Sequence, residues 1–292
     1  MRFLIRRSFK IYPLFLAALL VHIVYYNSKG VSIPFERILP ELLFFQNYRP
    51  GIMGISWSLA IEEHFYLLLS AGLFILYRLK SLEKKLYLPI ACIFIATSCL
   101  LLRIFSFWQT GDNQSTNYFF YTHFRIDALA FGVLISWLRI FSPTWLNDFT
   151  VKYKYLLVCL IPVLLAPVFI WQATTTPIIT FGLTFNYLGF GIILLLFTTY
   201  ASNISRFIEK FYLANLFQAV AWVGIYSYGI YLIHLKAGPS LSNLLKTQLL
   251  PALPESLIIF INFLFSIGCG YLLSILIEKP FLRLRDKYFP SR

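Results

Sequence analysis

The amino-acid sequence predicts an all-α, polytopic transmembrane helix bundle of about eight spans with both termini cytoplasmic. Three observations carry that expectation. Hydrophobic residues make up 59% of the chain and the mean hydropathy is +0.73, far above a soluble domain. Apolar runs long enough to cross a bilayer, which takes roughly 20 residues, recur from end to end. Lys and Arg gather at the ends of these runs, and they do so asymmetrically.

In chain order, the basic residues Arg2, Arg6, Arg7 and Lys10 precede a first span over about Ile11 to Tyr26. No small-residue cleavage site follows that run, so it does not read as a signal peptide. A weakly amphipathic segment from Asn27 to Ser56 follows, broken by Pro34, Pro40 and Pro50. The second span runs over about Trp57 to Tyr77, and a basic connector, Arg78 to Lys85, leads to a third over about Leu86 to Phe107. Beyond the polar loop WQTGDNQSTN comes a fourth, His123 to Ile140. A fifth covers Tyr155 to Trp171 and a sixth Ile178 to Tyr200. The seventh, Ala214 to Leu235, and the eighth, Ser256 to Ile277, close the set, with a loop from Lys236 to Glu255 between them and the tail EKPFLRLRDKYFPSR after. No internal repeat, broken span or linker is evident, so residues 1–292 read as one integral-membrane domain.

With the N-terminus inside, eighteen basic residues fall on the cytoplasmic side. Only Lys29, Arg37, Arg49, Lys236 and Lys246 fall outside, which is the bias the positive-inside rule describes. The net charge of +13 therefore does not indicate nucleic acid, because the basic residues cluster at span ends and not along one face. The four cysteines, Cys92, Cys99, Cys159 and Cys269, all lie within apolar runs without metal spacing, and read as small core or lipid-facing hydrophobes.

Chemistry concentrates in WSLAIEEHFYLLL, which sets Glu62, Glu63 and His64 in the first turns of the second span. Ionisable groups at membrane depth are costly and by default mark a functional site. Ser58 and Glu62 share one helix face; Trp57, Ile61 and His64 share the next. The plainer alternative is that Glu63 and His64 sit among headgroups, where water reaches them. The topology brings the outer turns of the second and fourth spans, with Glu62, Glu63, His64, His123, Arg125 and Asp127, to the depth of His234 at the outer end of the seventh. Arg125 and Asp127 are two apart and need partners elsewhere; Glu62 is the obvious one for Arg125, and Asp127 shares a face with His123. Ser227, Tyr231 and His234 share a face of the seventh span. Plainer roles are interfacial anchoring for His234, belt positions for Tyr12, Tyr25, Tyr26, Tyr226 and Tyr228, and snorkelling for Arg103.

The motifs RRSFKIYPLFLAALL, SWSLAIEEHFYLLL, FRIDALAFGVLIS, SYGIYLIH and EKP, in that order, resemble the membrane-bound acyltransferase 3 family. The resemblance implies transfer of an acyl group, commonly acetyl from cytoplasmic acetyl-CoA, to a sugar hydroxyl of a cell-surface or secreted polysaccharide, at the inner (plasma) membrane. It implies catalytic roles for Glu62, Arg125, Asp127 and His234, with Trp57, Ser58, Glu63 and Tyr231 binding substrate. No bound cofactor or metal is implied, and the partners expected are acyl-CoA, a glycan acceptor and membrane lipid. The family usually opens with two further spans that carry an arginine, a histidine and an SGF motif. None of these stands before Met1, so the chain reads as the remaining eight of ten spans. A transporter or channel, and an inactive acyltransferase fragment, are the competing readings.

Overall fold

The computed structural model describes residues 2–78, 86–110, 117–171, 177–246 and 253–290. All regular structure among them is helical. The basic connector and the centre of the polar loop after the third span lie outside the described residues. Helix α1 (Arg2–Ser28) starts well before the expected first span, because nothing in RFLIRRSFK breaks a helix. The segment from 27 to 56 contains one short amphipathic helix, α2 (Phe35–Leu42). Helices α3 (Trp57–Arg78) and α4 (Tyr87–Thr110) match the second and third spans. A single turn, α5 (Asn117–Phe120), precedes α6 (Thr122–Phe141), the expected fourth span. Helices α7 (Pro143–Lys152) and α8 (Lys154–Ile170) meet at 79°, with Pro143 at the first helical position of α7, where its missing N–H costs nothing. The sixth span opens with a π turn, Ile178–Gly182, and continues as α9 (Leu183–Thr199). The amphipathic α10 (Ala201–Lys210) follows.

Three expectations need correction. The seventh span is two helices, α11 (Ala214–Ile225) and α12 (Ser227–Leu244), bent by 76° at Tyr226, and α12 runs nine residues beyond the expected end at Leu235. Broken helices are therefore present, at Tyr153 and at Tyr226. The last span is longer than expected: α13 (Glu255–Leu273), a π turn at Ser274–Glu278 and α14 (Lys279–Tyr288) form one 34-residue helical run through the tail. Pro280 has no N–H to donate, and the π turn ahead of it takes up that break in the hydrogen-bond ladder.

Five helical runs among the described residues are long and apolar enough to cross a membrane, and seven if each bent pair counts as one crossing. Helix α6 has the length, but Arg125, Asp127 and Arg139 give it three charges. The large side chains facing away from the packing, such as Leu68, Phe74, Phe94 and Phe169, are exposed, as suits a protein whose solvent is hydrocarbon.

Packing divides the chain into two units that interleave in sequence. One comprises Met1–Leu43, Pro50–Ser56 and Phe211–Arg292. In it α12 packs along α13, and α1 packs on α12 and α14. The other comprises Phe44–Arg49 and Trp57–Lys210. There α6 is the central helix, with α3, α4 and α9 against it. Its core includes Phe65, Cys92, Cys99, Ile126 and Ala130, with Phe124, Ile178 and Ile179 forming a second cluster. Cys92 and Cys99 are buried and Cys159 is exposed, all of them free thiols.

Candidate functional site

In the unit centred on α6, the N-terminal turns of α3 and α6 lie side by side and bring two of the quoted motifs together. The Arg125 guanidinium stands over the Trp57 ring at 5.9 Å. Thr122 is a junction: its Oγ1 accepts a hydrogen bond from Asn47 Nδ2 at 2.8 Å and lies 2.7 Å from His64 Nδ1. Asn47 Nδ2 also donates to the Phe120 carbonyl at 3.1 Å. Tyr48 Oη lies 3.0 Å from His123 Nδ1, and the Tyr48 ring stacks on Tyr121 at 4.9 Å between centroids. Glu63 is buried at 6% exposure, so it does not sit in open water, while Glu62 and His64 are half-buried. Trp57 and Ser58 begin α3, half-buried.

Asp127 has a different partner from the face-sharing His123. Its carboxylate pairs with Arg103 of α4 at 2.8 Å, and both side chains are buried. Arg103 does not snorkel. Its Nε donates to the Thr180 carbonyl at 3.2 Å, one terminal nitrogen donates to Thr184 Oγ1 at 2.7 Å, and the other to the Phe124 carbonyl. Asp127 Oδ1 also accepts from the Ala128 N–H at 2.9 Å. The Thr180 carbonyl that Arg103 engages lies in the π turn at Ile178–Gly182. One arginine thus ties α4, α6 and the start of α9 together, which makes Asp127 a positioning residue for α6.

Tyr231 and His234 belong to the other unit. His234 Nδ1 lies 2.9 Å from the Tyr231 carbonyl, and Tyr231 Oη donates to the Ile55 carbonyl. The shared face of Ser227, Tyr231 and His234 lines a cavity of about 910 Å³ between α12 and α13, together with Asn262 and Lys246. Two tyrosines read as belt residues are internal contacts: Tyr228 Oη donates to the Ile11 carbonyl at 2.9 Å, and Tyr26 Oη accepts from Lys236 Nζ at 2.8 Å.

Glu41 escaped the sequence reading. It is fully buried and gathers the chain just before α3. Its Oε1 accepts from the N–H groups of Ile52 at 2.9 Å and Met53 at 2.8 Å, and its Oε2 from Ser56 Oγ at 2.7 Å. A Cβ at Gly51 would collide with this carboxylate, so glycine lets the loop close on it without displacing it. Burial pushes the Glu41 carboxyl above its ordinary range, against the pull of the three donors. The available signal was an acid in the apolar stretch ILPELLFF, ten residues ahead of a glycine-bracketed GIMG turn. For Arg103 the signal was an arginine deep in an apolar run, which calls for a carboxylate partner. No protein-family model, curated protein or solved structure matches this chain.

Proposed function

We propose that the chain is a membrane-bound acyltransferase that moves an acetyl group from acetyl-CoA to a hydroxyl of a cell-surface or secreted polysaccharide, working in the inner membrane with both termini cytoplasmic. The observation that carries this reading is the meeting of the WSLAIEEH and FRID motifs at one end of α3 and α6, where Arg125 lies over Trp57 and Thr122 joins His64 to Asn47.

The chemistry needs three things. A sugar hydroxyl is a poor nucleophile, so a base must take its proton as the oxygen attacks the thioester carbonyl. Glu62 and His234 are the candidates. The tetrahedral intermediate puts negative charge on the former carbonyl oxygen, which Arg125 is suited to stabilise; the C–S bond then breaks and the CoA thiolate leaves. The family resemblance assigns substrate contacts to Trp57, Ser58 and Glu63 in this unit and to Tyr231 in the other, and the Arg103–Asp127 pair holds the α6 end in register.

The test is acetyl incorporation into surface polysaccharide in a host lacking its own enzyme, using the complete gene. Arg125→Ala, and whichever of Glu62→Gln and His234→Ala removes the base, should lower the rate about 10²–10⁴-fold. Absence of incorporation at normal membrane abundance defeats the reading, and a rate indifferent to His234→Ala removes that residue from the site. The two bent helix pairs favour a second reading, a transporter, since broken helices are common there. Substrate flux in vesicles without acetyl transfer would select it.

A further inference from the structure

In the α6-centred unit, α3 and α4 both lean on α6 and leave between them a cavity of about 740 Å³. From His64 to Leu76 along α3 it spans twelve residues, about 18 Å at 1.5 Å per residue. That is close to one leaflet, about half of a hydrocarbon core of roughly 30 Å. The floor is Ile126, Ala130 and Val133 of α6; the walls are leucines, Phe94 and Cys99. No Lys, Arg, Asp or Glu among the described residues lines it.

Among the described residues the polar groups gather mainly at one end. There His64, Thr122, His123 and Tyr48 converge. Phe44 holds a positive φ of 54°, a conformation a bulky residue rarely takes, and turns the segment Phe44–Arg49 over the helix ends. Phe45 then meets the His64 ring at 5.6 Å and Tyr48 stacks on His123 at 5.8 Å. Tyr48 Oη and His123 Nδ1 lie 3.0 Å apart, and in either direction of that hydrogen bond the neutral pair keeps one donor free, the ring Nε2–H or the phenol O–H. The pair, with His123 exposed, thereby offers a neutral N–H or O–H donor at the mouth of an apolar slot.

We propose that this groove binds one acyl chain of a zwitterionic glycerolipid, with the lipid's ester carbonyl at the Tyr48–His123 end and the chain terminus between Leu76 and Leu88. A slot one leaflet deep fits a single tail. A neutral donor fits an ester oxygen, and no cation among the described lining residues selects an anionic headgroup. The proposal stands independently of acyl transfer.

The test uses the full chain reconstituted in phosphatidylcholine vesicles in which a fraction of the lipid carries a diazirine at one chain terminus. Irradiation, proteolysis and mass spectrometry map the labelled peptides. Labelling is expected at the Leu73–Leu76 and Leu88–Ala91 ends, several-fold above the outward face of α9 at Phe190 and Phe197. Gly72 lines the groove, and a Cβ there meets open space, so Gly72→Phe fills the slot without a backbone clash. Labelling should fall several-fold in this variant while its melting temperature holds. Equal labelling of the α9 face, undiminished labelling in a folded Gly72→Phe, or stronger competition by phosphatidylglycerol than by phosphatidylcholine would each overturn the proposal. Should Gly72→Phe not fold, the map of the unaltered chain decides alone.

Discussion

The helix pairs α4–α6 and α12–α13 hold together by opposite means. Between α4 and α6 the key contact is a buried charge pair, Arg103–Asp127, with the remaining arginine donors spent on backbone and hydroxyl oxygens. Between α12 and α13 it is the absence of side chains: a Cβ at Gly270 would collide with the Ile230 backbone, and one at Gly229 with Ser274 Oγ and the Gly270 carbonyl. Lipid offers helices no hydrophobic reason to associate, so they rely on close packing or on polar contacts. The α4–α6 pair relies on the polar device and the α12–α13 pair on close glycine packing, with an Asn262–Ser242 hydrogen bond beside it. Polar ties fix register and direction at the end where the motifs meet, whereas glycine contacts permit close approach beside a cavity lined by Tyr231 and His234.

The sharpest way to break the contrast is Arg103→Leu. It leaves Asp127 buried without its counter-charge and should cost about 3–5 kcal/mol, read as a fall in unfolding temperature in detergent. Adding Asp127→Leu should restore much of that loss; strictly additive losses would show that the pair is not coupled.

Gly270→Val probes the other pair. Forcing a branched side chain between touching backbones should cost about 1–3 kcal/mol, and it should separate α12 from α13 without disturbing the α4–α6 pair. A spin-label distance across each pair reads this directly. An unchanged α12–α13 distance with unchanged stability would mean that the glycines are incidental.

The smallest effect is expected at Glu41, the buried carboxylate that serves the loop before α3. Glu41→Gln keeps one acceptor and should cost about 1 kcal/mol. The pH dependence has a definite sign. The folded pKa is raised, so the folded state holds the proton more tightly than the unfolded chain. Stability from this group is full below the ordinary carboxylate pKa and declines as pH rises through the raised value. Melting curves across that range should show the decline in the native protein and lose it in Glu41→Gln.

Much of the architecture was legible in advance because hydropathy is a local property. The second, third and sixth spans match α3, α4 and Ile178–Thr199 to within a few residues. The break at Tyr226 was not legible, since GIYSYGIYL has neither proline nor charge; the bend between α11 and α12 belongs to packing, with Trp222 and Tyr226 both against Tyr271. The continuation of the last span through Lys279-Pro280 was hidden for the opposite reason, because a proline that usually ends a helix follows a π turn here.

The chain by itself determined that this is a helical protein with membrane-length apolar runs, and which ionisable residues stand at the ends of those runs. Burial of apolar length and the cost of intramembrane charge are read from composition and order alone. Pairing was decided by the tertiary structure. Arg103 and Asp127 are twenty-four residues apart, and Glu41 reaches Ser56 across a proline-broken segment. Such contacts depend on the angle and register at which helices meet. Those are set by close packing at residues such as Gly229 and Gly270, and hydropathy carries no record of them.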